Sequence, residues 1–189
     1  MIQLLDVCGV EKVHVIGNSM GGYIAAWLAA TYPDRIASVA LIDPAGLSSP
    51  EPSDMERLLA QGSNPFLIHS RADFNQFYAM TMASPPWVPG VVRAALAERY
   101  QARRDELAEI FEDFHTSQPV GARLHDIQAP ALLLWGREDR LIHVSSAQIW
   151  AKGIPGMRVK IWDGVGHMPM VEQPAKTATL YRQFLDRPQ

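Results

Sequence analysis

The chain has 189 residues, of which 48% are hydrophobic and 20% charged, with a formal net charge of −3. That is enough apolar material for one domain with a real core, which excludes an intrinsically disordered chain. No basic run marks a nucleic-acid surface, and no stretch of about eighteen apolar residues marks a membrane span, so neither a nucleic-acid partner nor a transmembrane segment is expected.

In chain order, residues 1–10 are apolar and read as a helix. Val13-His14-Val15-Ile16 reads as a buried strand running to Gly17. Gly17-Asn18-Ser19-Met20-Gly21-Gly22 follows, and residues 23–32 read as a helix rich in Ala, Leu and Trp. Tyr32-Pro33-Asp34 stops that helix, and residues 35–43 form a second strand ending in Pro44-Ala45-Gly46. The pattern then changes. Residues 48–53 are rich in Pro, Ser and Glu, and helical stretches follow near 55–61, 72–82 and 91–114. The basic residues at 99–104 are followed at once by Asp105, Glu106, Glu109 and Glu112, a solvated helix face with local charge pairing. Residues 130–136 read as a buried strand, 145–152 as a helix, 157–162 as a strand with one wetter face, and 177–185 as a closing helix. Alternating strands and helices predict an α/β fold: a mostly parallel sheet with helices on both faces. The expected division is a core of residues 1–46 and 129–189 with a helical cap inserted at 47–128.

The chemistry concentrates at the strand ends. A G-x-S-x-G between a strand and a helix is a sharp turn that lifts a serine hydroxyl clear of the sheet, with glycines where side chains would clash. Ser19 is therefore the candidate nucleophile. A serine attacks a carbonyl only if a base takes its proton, and the base must be a histidine held in one tautomer by a carboxylate. His167 follows the last strand in Gly164-Val165-Gly166-His167 and is the candidate base. Asp139 follows the preceding strand in Trp135-Gly136-Arg137-Glu138-Asp139, as orienting acid or as loop cap. Asp43, at the end of the second strand, is the other candidate acid. The backbone N–H of Met20 is the expected oxyanion donor. His14 lies inside the first strand. His69, His115, His125 and His143 lack metal-ligand spacing, so no metal site is expected. Phe74, Phe77, Tyr78, Met80, Met82 and Trp87 form the apolar part of the cap, read equally as its packing or as substrate contacts, with Phe74, Phe77 and Trp87 as the candidate substrate-binding residues. The single cysteine, Cys8, fits a reducing compartment, and a cytoplasmic location is expected.

These motifs, with Tyr32-Pro33-Asp34-Arg35, Asp43-Pro44-Ala45-Gly46 and Glu172-Gln173-Pro174, resemble the α/β-hydrolase-fold superfamily, and within it the lipase and esterase branch that includes bacterial and monoacylglycerol lipases. The resemblance implies a Ser-Asp-His hydrolase of carboxylic esters, with a small-molecule ester or lipid substrate and no metal or organic cofactor. It also implies earlier strands, and a second oxyanion donor, that residues 1–12 have no room for, so the chain is expected to be the C-terminal part of a larger hydrolase. On that expectation the strand at 13–17 becomes an edge open to self-association. Carbon–carbon bond hydrolases of aromatic ring cleavage share the elbow and the W-G-x-x-D loop. The aliphatic Met168-Pro169-Met170-Val171 favours the ester reading. A non-catalytic remnant is the third reading.

Overall fold

The computed structural model describes residues 1–186. Four strands, β1 (Val13–Asn18), β2 (Ile36–Ile42), β3 (Ala131–Gly136) and β4 (Arg158–Trp162), form one parallel sheet in the order β1-β2-β3-β4. The helices are α1 (Ile2–Val7), α2 (Met20–Thr31), α3 (Asp54–Ala60), α4 (Arg71–Thr81), α5 (Gly90–Ala102), α6 (Arg104–Thr116), α7 (Ala147–Gly153), α8 (Pro169–Glu172) and α9 (Pro174–Leu185). The α/β class and the parallel sheet are as the sequence predicts. None of the helices is long and apolar enough to cross a membrane.

Side-chain alternation along the strands separates two apolar layers. Val39, Leu41, Leu133 and Trp135 face the larger cluster, which takes in α2 and α7. Ala40 and Leu132 face Phe184 of α9, while Ile42, Leu134, Trp162 and Val165 form a smaller cluster against Leu180. α2 lies close on the sheet because its buried positions are small: Gly22, Ala25, Ala26, Ala29 and Ala30. Its last turn is held by Arg123, from a 3-10 stretch at Val120–Asp126, which donates to the Ala30 carbonyl (3.0 Å) and to Thr31 Oγ1 (3.0 Å). A cation at a helix carboxyl end meets carbonyls that have no partner within the helix. α1 buries no residue. It is tied down by Arg35, which bonds Asp6 Oδ1 (2.7 Å) and the carbonyls of Val10 (2.9 Å) and Glu11 (2.8 Å).

Residues 47–128 leave the sheet between β2 and β3 and carry α3 to α6. Local sequence sets two of the helix starts. Ser53 and Glu56 form a reciprocal capping box on α3, and Ser70 and Asp73 form one on α4. Each such cap is worth about 1 kcal/mol. The continuous helix expected at 91–114 is broken at Arg103. A straight helix of that length would run for about 36 Å. The break lets Tyr100 of α5 pack on Phe74 (ring centroids 5.5 Å apart) while Phe111 of α6 packs on Phe66 (5.5 Å). α8 and the 3-10 stretch carry too short a periodicity to be predicted.

Among the described residues β1 pairs only with β2, so its other edge is open. Ile16, on the face of β1 that continues the α9 side, is 46% exposed. An open apolar strand edge is a template for a second chain. Residues 1–189 produced alone are expected to self-associate, giving oligomers in sedimentation velocity, and Ile16→Lys should shift them toward monomer. A monodisperse monomer of the unsubstituted chain would contradict this.

Candidate active site

The three strand ends that carry the candidate residues point to the same edge of the sheet, because the strands are parallel. β1 turns into α2 at Ser19, whose backbone sits at φ 55, ψ −123. A non-glycine residue there stores roughly 1–3 kcal/mol of strain, which neighbouring contacts must offset. Ser19 N–H donates to the Ile42 carbonyl (3.0 Å), and Ala45 N–H donates to the Ser19 carbonyl (3.0 Å). The strand and helix meet so closely that a Cβ on Gly17 would lie 2.1 Å from the Gly21 carbonyl oxygen. Met20 opens α2, and its N–H is one of those for which a helix has no internal partner.

Asp139 and His167 are brought together. The Nδ1–H of His167 donates to Asp139 Oδ2 at 2.8 Å, and both side chains are almost wholly buried. The other oxygen of Asp139 accepts from the N–H groups of Leu141 (2.9 Å) and Ile142 (3.1 Å). The two loops can approach because Gly136 has no side chain: a Cβ there would lie 2.0 Å from the Gly166 carbonyl oxygen. The elbow is joined to the histidine loop by Asn18, whose Nδ2 donates to the carbonyls of Ile42 and His167, both at 3.1 Å. Among the described residues no hydrogen bond joins the Ser19 hydroxyl to the His167 ring. Such bonds are often long before a substrate is bound.

Asp43 sits beside this pair rather than in place of Asp139. Its carboxyl is fully buried, Oδ1 accepts from Gly136 N–H (2.8 Å), and its backbone also has a positive φ of 41. Burial first, and then the charge of Asp139, push the Asp43 carboxyl well above the usual carboxylate range, against the opposing bond from Gly136. One oxygen or nitrogen from each of Asp43, Asp139 and His167 lies within 4.8 Å of the others.

Ser19 and Met20 open onto an apolar cavity of about 360 Å³, lined mainly from residues 47–128 and including Leu59, Phe77, Tyr100, Ile110 and Phe111. Of the three candidate substrate-binding residues only Phe77 lines it. Phe74 is buried among the helices, stacked on Tyr78 and tilted against Tyr100, and Trp87 is 86% exposed in the loop before α5. The periodicity of α4 put Phe74 and Phe77 on one helix face but could not say which of them borders a void. Phe111 and Ile110, which do line it, lay in a stretch read only as a charged helix face.

Sequence reasoning grouped Glu172 with Gln173 and Pro174 but gave it no task. Its Oε1 accepts from Gly166 N–H (2.8 Å) and its Oε2 from Ser84 N–H (2.8 Å), while His167 N–H donates to the Thr81 carbonyl (3.1 Å). The carboxylate thus clasps the end of α4 to the histidine loop. On the other side Arg140 bonds Asp54 Oδ2 (2.6 Å) and holds that carboxyl below the usual range. Glu172→Gln puts an amide where one backbone N–H needs an acceptor. It is expected to lower stability by roughly 1–2 kcal/mol in urea unfolding. An unchanged midpoint would show that the clasp carries no weight.

A family model described as the alpha/beta hydrolase fold matches residues 2–174. Lipase 1 of Psychrobacter immobilis is 34% identical over 186 residues, covering 96% of this chain and 58% of that protein. Monoacylglycerol lipase abhd6-B of Xenopus laevis is 28% identical, covering 97% of this chain and 58% of that protein. A crystal structure described as a membrane phospholipase A, a bacterial virulence factor, superposes with a TM-score of 0.94 at 37% identity, over 98% of this chain and 60% of that one. The chain therefore spans a little under three fifths of the length of these curated relatives. With its parallel sheet, its strained serine turn and this match, the chain belongs to the α/β-hydrolase fold family.

Proposed function

We propose that the protein hydrolyses carboxylic esters with an apolar acyl chain, through Ser19 as nucleophile, His167 as general base and Asp139 as the acid that orients it. The observation that carries this reading is that Ser19, at the mouth of an apolar cavity, shares one sheet edge with a buried Asp139–His167 hydrogen bond. The lipases among its relatives support it. His167 would take the Ser19 proton as the hydroxyl attacks the ester carbonyl and return it to the departing alcohol. Asp139 would hold the ring with Nδ1–H inward and Nε2 free, and stabilise its charged form. Met20 N–H would stabilise the oxyanion at the start of α2.

Residues 47–128 serve as the cap in this proposal and supply most of the acyl pocket. Among the described residues no Arg or Lys lines the cavity. A substrate whose tail bears a carboxylate would find no guanidinium or ammonium group there and would meet Glu56 as well as His115, and this favours an uncharged acyl chain over the acidic products of aromatic ring cleavage.

Three variants test the roles, made in the protein encoded by the complete gene. A fluorophosphonate probe should label the protein, and Ser19→Ala should abolish labelling. Labelling that survives would refute the assignment. Asp139→Asn should lower kcat by about three to four orders of magnitude with the fold intact, because an amide cannot hold the same tautomer. If Asp43→Asn does that damage and Asp139→Asn does not, Asp43 is the orienting acid.

The cavity makes a separate prediction. On nitrophenyl esters, kcat/KM should rise several-fold from two-carbon to medium-chain acyl groups. Each buried methylene contributes up to about 0.8 kcal/mol until the cavity is full. A profile that falls from acetate upward would count against a lipid-like substrate.

A further inference from the structure

Asp43 is the one buried titratable group at the site to which the proposed reaction gives no task. Its Oδ2 is buried and receives no hydrogen bond from any N–H or hydroxyl. An ionised oxygen in that position would be both unsolvated and unpaired, which is among the costliest arrangements a protein can hold. The carboxyl of Asp139 lies beside that of Asp43, with an oxygen of each within 4.8 Å, and is its side-chain hydrogen-bonding neighbour. Two carboxyl groups in contact are compatible only if they share a proton. Asp139 already accepts from His167 and from two backbone N–H groups, so the oxygen that must carry the hydrogen is on Asp43.

We propose that Asp43 is a positioning residue: its carboxyl stands as the neutral acid, accepts the Gly136 N–H on Oδ1 and donates from Oδ2 to Asp139, fixing Asp139 against the His167 ring. This rests on the triad reading above. The backbone agrees with it. Asp43 is held at φ 41, and Asp43 N–H donates to the Leu134 carbonyl (2.9 Å), so the side chain is aimed from the end of β2 across to the loop after β3. The titratable groups facing it are Asp139, His167 and, beyond them, Glu172, and no further proton donor is needed to satisfy the set. The arrangement gives Asp139 a bond from Asp43 in addition to those from His167, Leu141 and Ile142. It prevents rotation away from the ring without adding a second negative charge beside the ring.

The pH dependence of kcat/KM separates this from a structural role and from an ionised Asp43. Asp43→Asn keeps a donor to Asp139 and an acceptor for Gly136, and asparagine tolerates a positive φ. It should lower kcat several-fold while leaving the acid limb of the profile in place. Asp43→Gly suits the backbone but removes the donor. Asp139 then has one hydrogen bond fewer and is a more basic partner for the ring, so the acid limb should move to higher pH by about half a unit, with kcat/KM down roughly tenfold. If Asp43 is ionised, both variants delete a negative charge near the ring, and the acid limb moves to lower pH in both. That result, any displacement of the Asp43→Asn limb, or an Asp43→Gly protein that melts lower with its limb unmoved overturns the proposal. If Asp43→Gly does not fold, Asp43→Asn decides by itself. Normal turnover of Ser19→Ala or Asp139→Asn would instead show that the triad reading has failed, a result read independently of where the limb lies.

Discussion

Parallel pairing is the constraint on which the rest of this structure depends. It brings the carboxyl ends of β1, β2, β3 and β4 to one edge, so the four turns that follow must share a small space. Two of these turns contain the only described non-glycine residues with positive φ, Ser19 and Asp43. They are also bonded to each other's neighbours: Ser19 N–H reaches the Ile42 carbonyl, and Asn18 Nδ2 reaches that same carbonyl. Strain of this kind persists only where the surroundings determine it from several sides. Here the cross-strand bonds do so, and Asp43 N–H to Leu134 extends the same logic to β3. The strained turns are therefore a consequence of forcing polar side chains upward from a close-packed parallel sheet.

The helices between β2 and β3 do more than cover this edge. Thr81 accepts from His167 N–H, Glu172 ties Ser84 to Gly166, and Arg140 ties the loop after β3 to Asp54. The first two contacts fall at the carboxyl end of α4, next to the histidine. Arg140 is exposed and its ion pair is worth little to stability. The Glu172 bonds are the stronger link, since a charged acceptor meets two backbone donors. α4 touches both places, since Phe77 lines the cavity and Thr81 accepts from His167 N–H. On the proposed reading, the wall of the acyl pocket and the position of His167 would be connected through this helix.

Much of this was legible in the sequence for a definite reason. β2 and β3 are buried on both faces and read as unbroken apolar runs, as parallel strands do. The serine turn is legible because the approach of Gly17 to the Gly21 carbonyl admits no side chain, and sterics of that kind leave a motif. The positions of Asp139 and His167 just after strands were readable for the same topological reason, and the structure brings the two side chains together. The cavity was not readable. Whether Phe74 or Phe77 borders a void depends on how α5 and α6 are oriented, and the break at Arg103 that sets this has no Pro or Gly to announce it. Trp87 was read as a substrate contact because it ends a stretch that combines aromatic and Met side chains, yet it stands in solvent. Asp43 was read as a rival to Asp139 because sequence gives only its place at a strand end. That the two carboxyls face each other is a matter of three dimensions.

The division of labour within the site follows from its two environments. The cavity wall is mainly apolar, and its contacts with an acyl chain would be the same before and during attack on the carbonyl. Binding of that kind strengthens association without favouring the transition state over the bound ester. Discrimination among acyl chains would then appear mainly in KM, and in kcat/KM through it. The rim is the opposite case. Its hydrogen bonds are fixed before substrate arrives, by backbone groups of Leu141, Ile142 and Gly136 that belong to the sheet and its turns. Preorganised polar groups in a dry setting act on the charge that develops as the bond forms, and they need no rearrangement when it does. On the proposed reading the apolar side would govern which ester is held, and the polar edge of the sheet how fast it reacts. Because Thr81 and Met82 end α4 directly against the histidine loop, the boundary between the two passes through a single helix terminus.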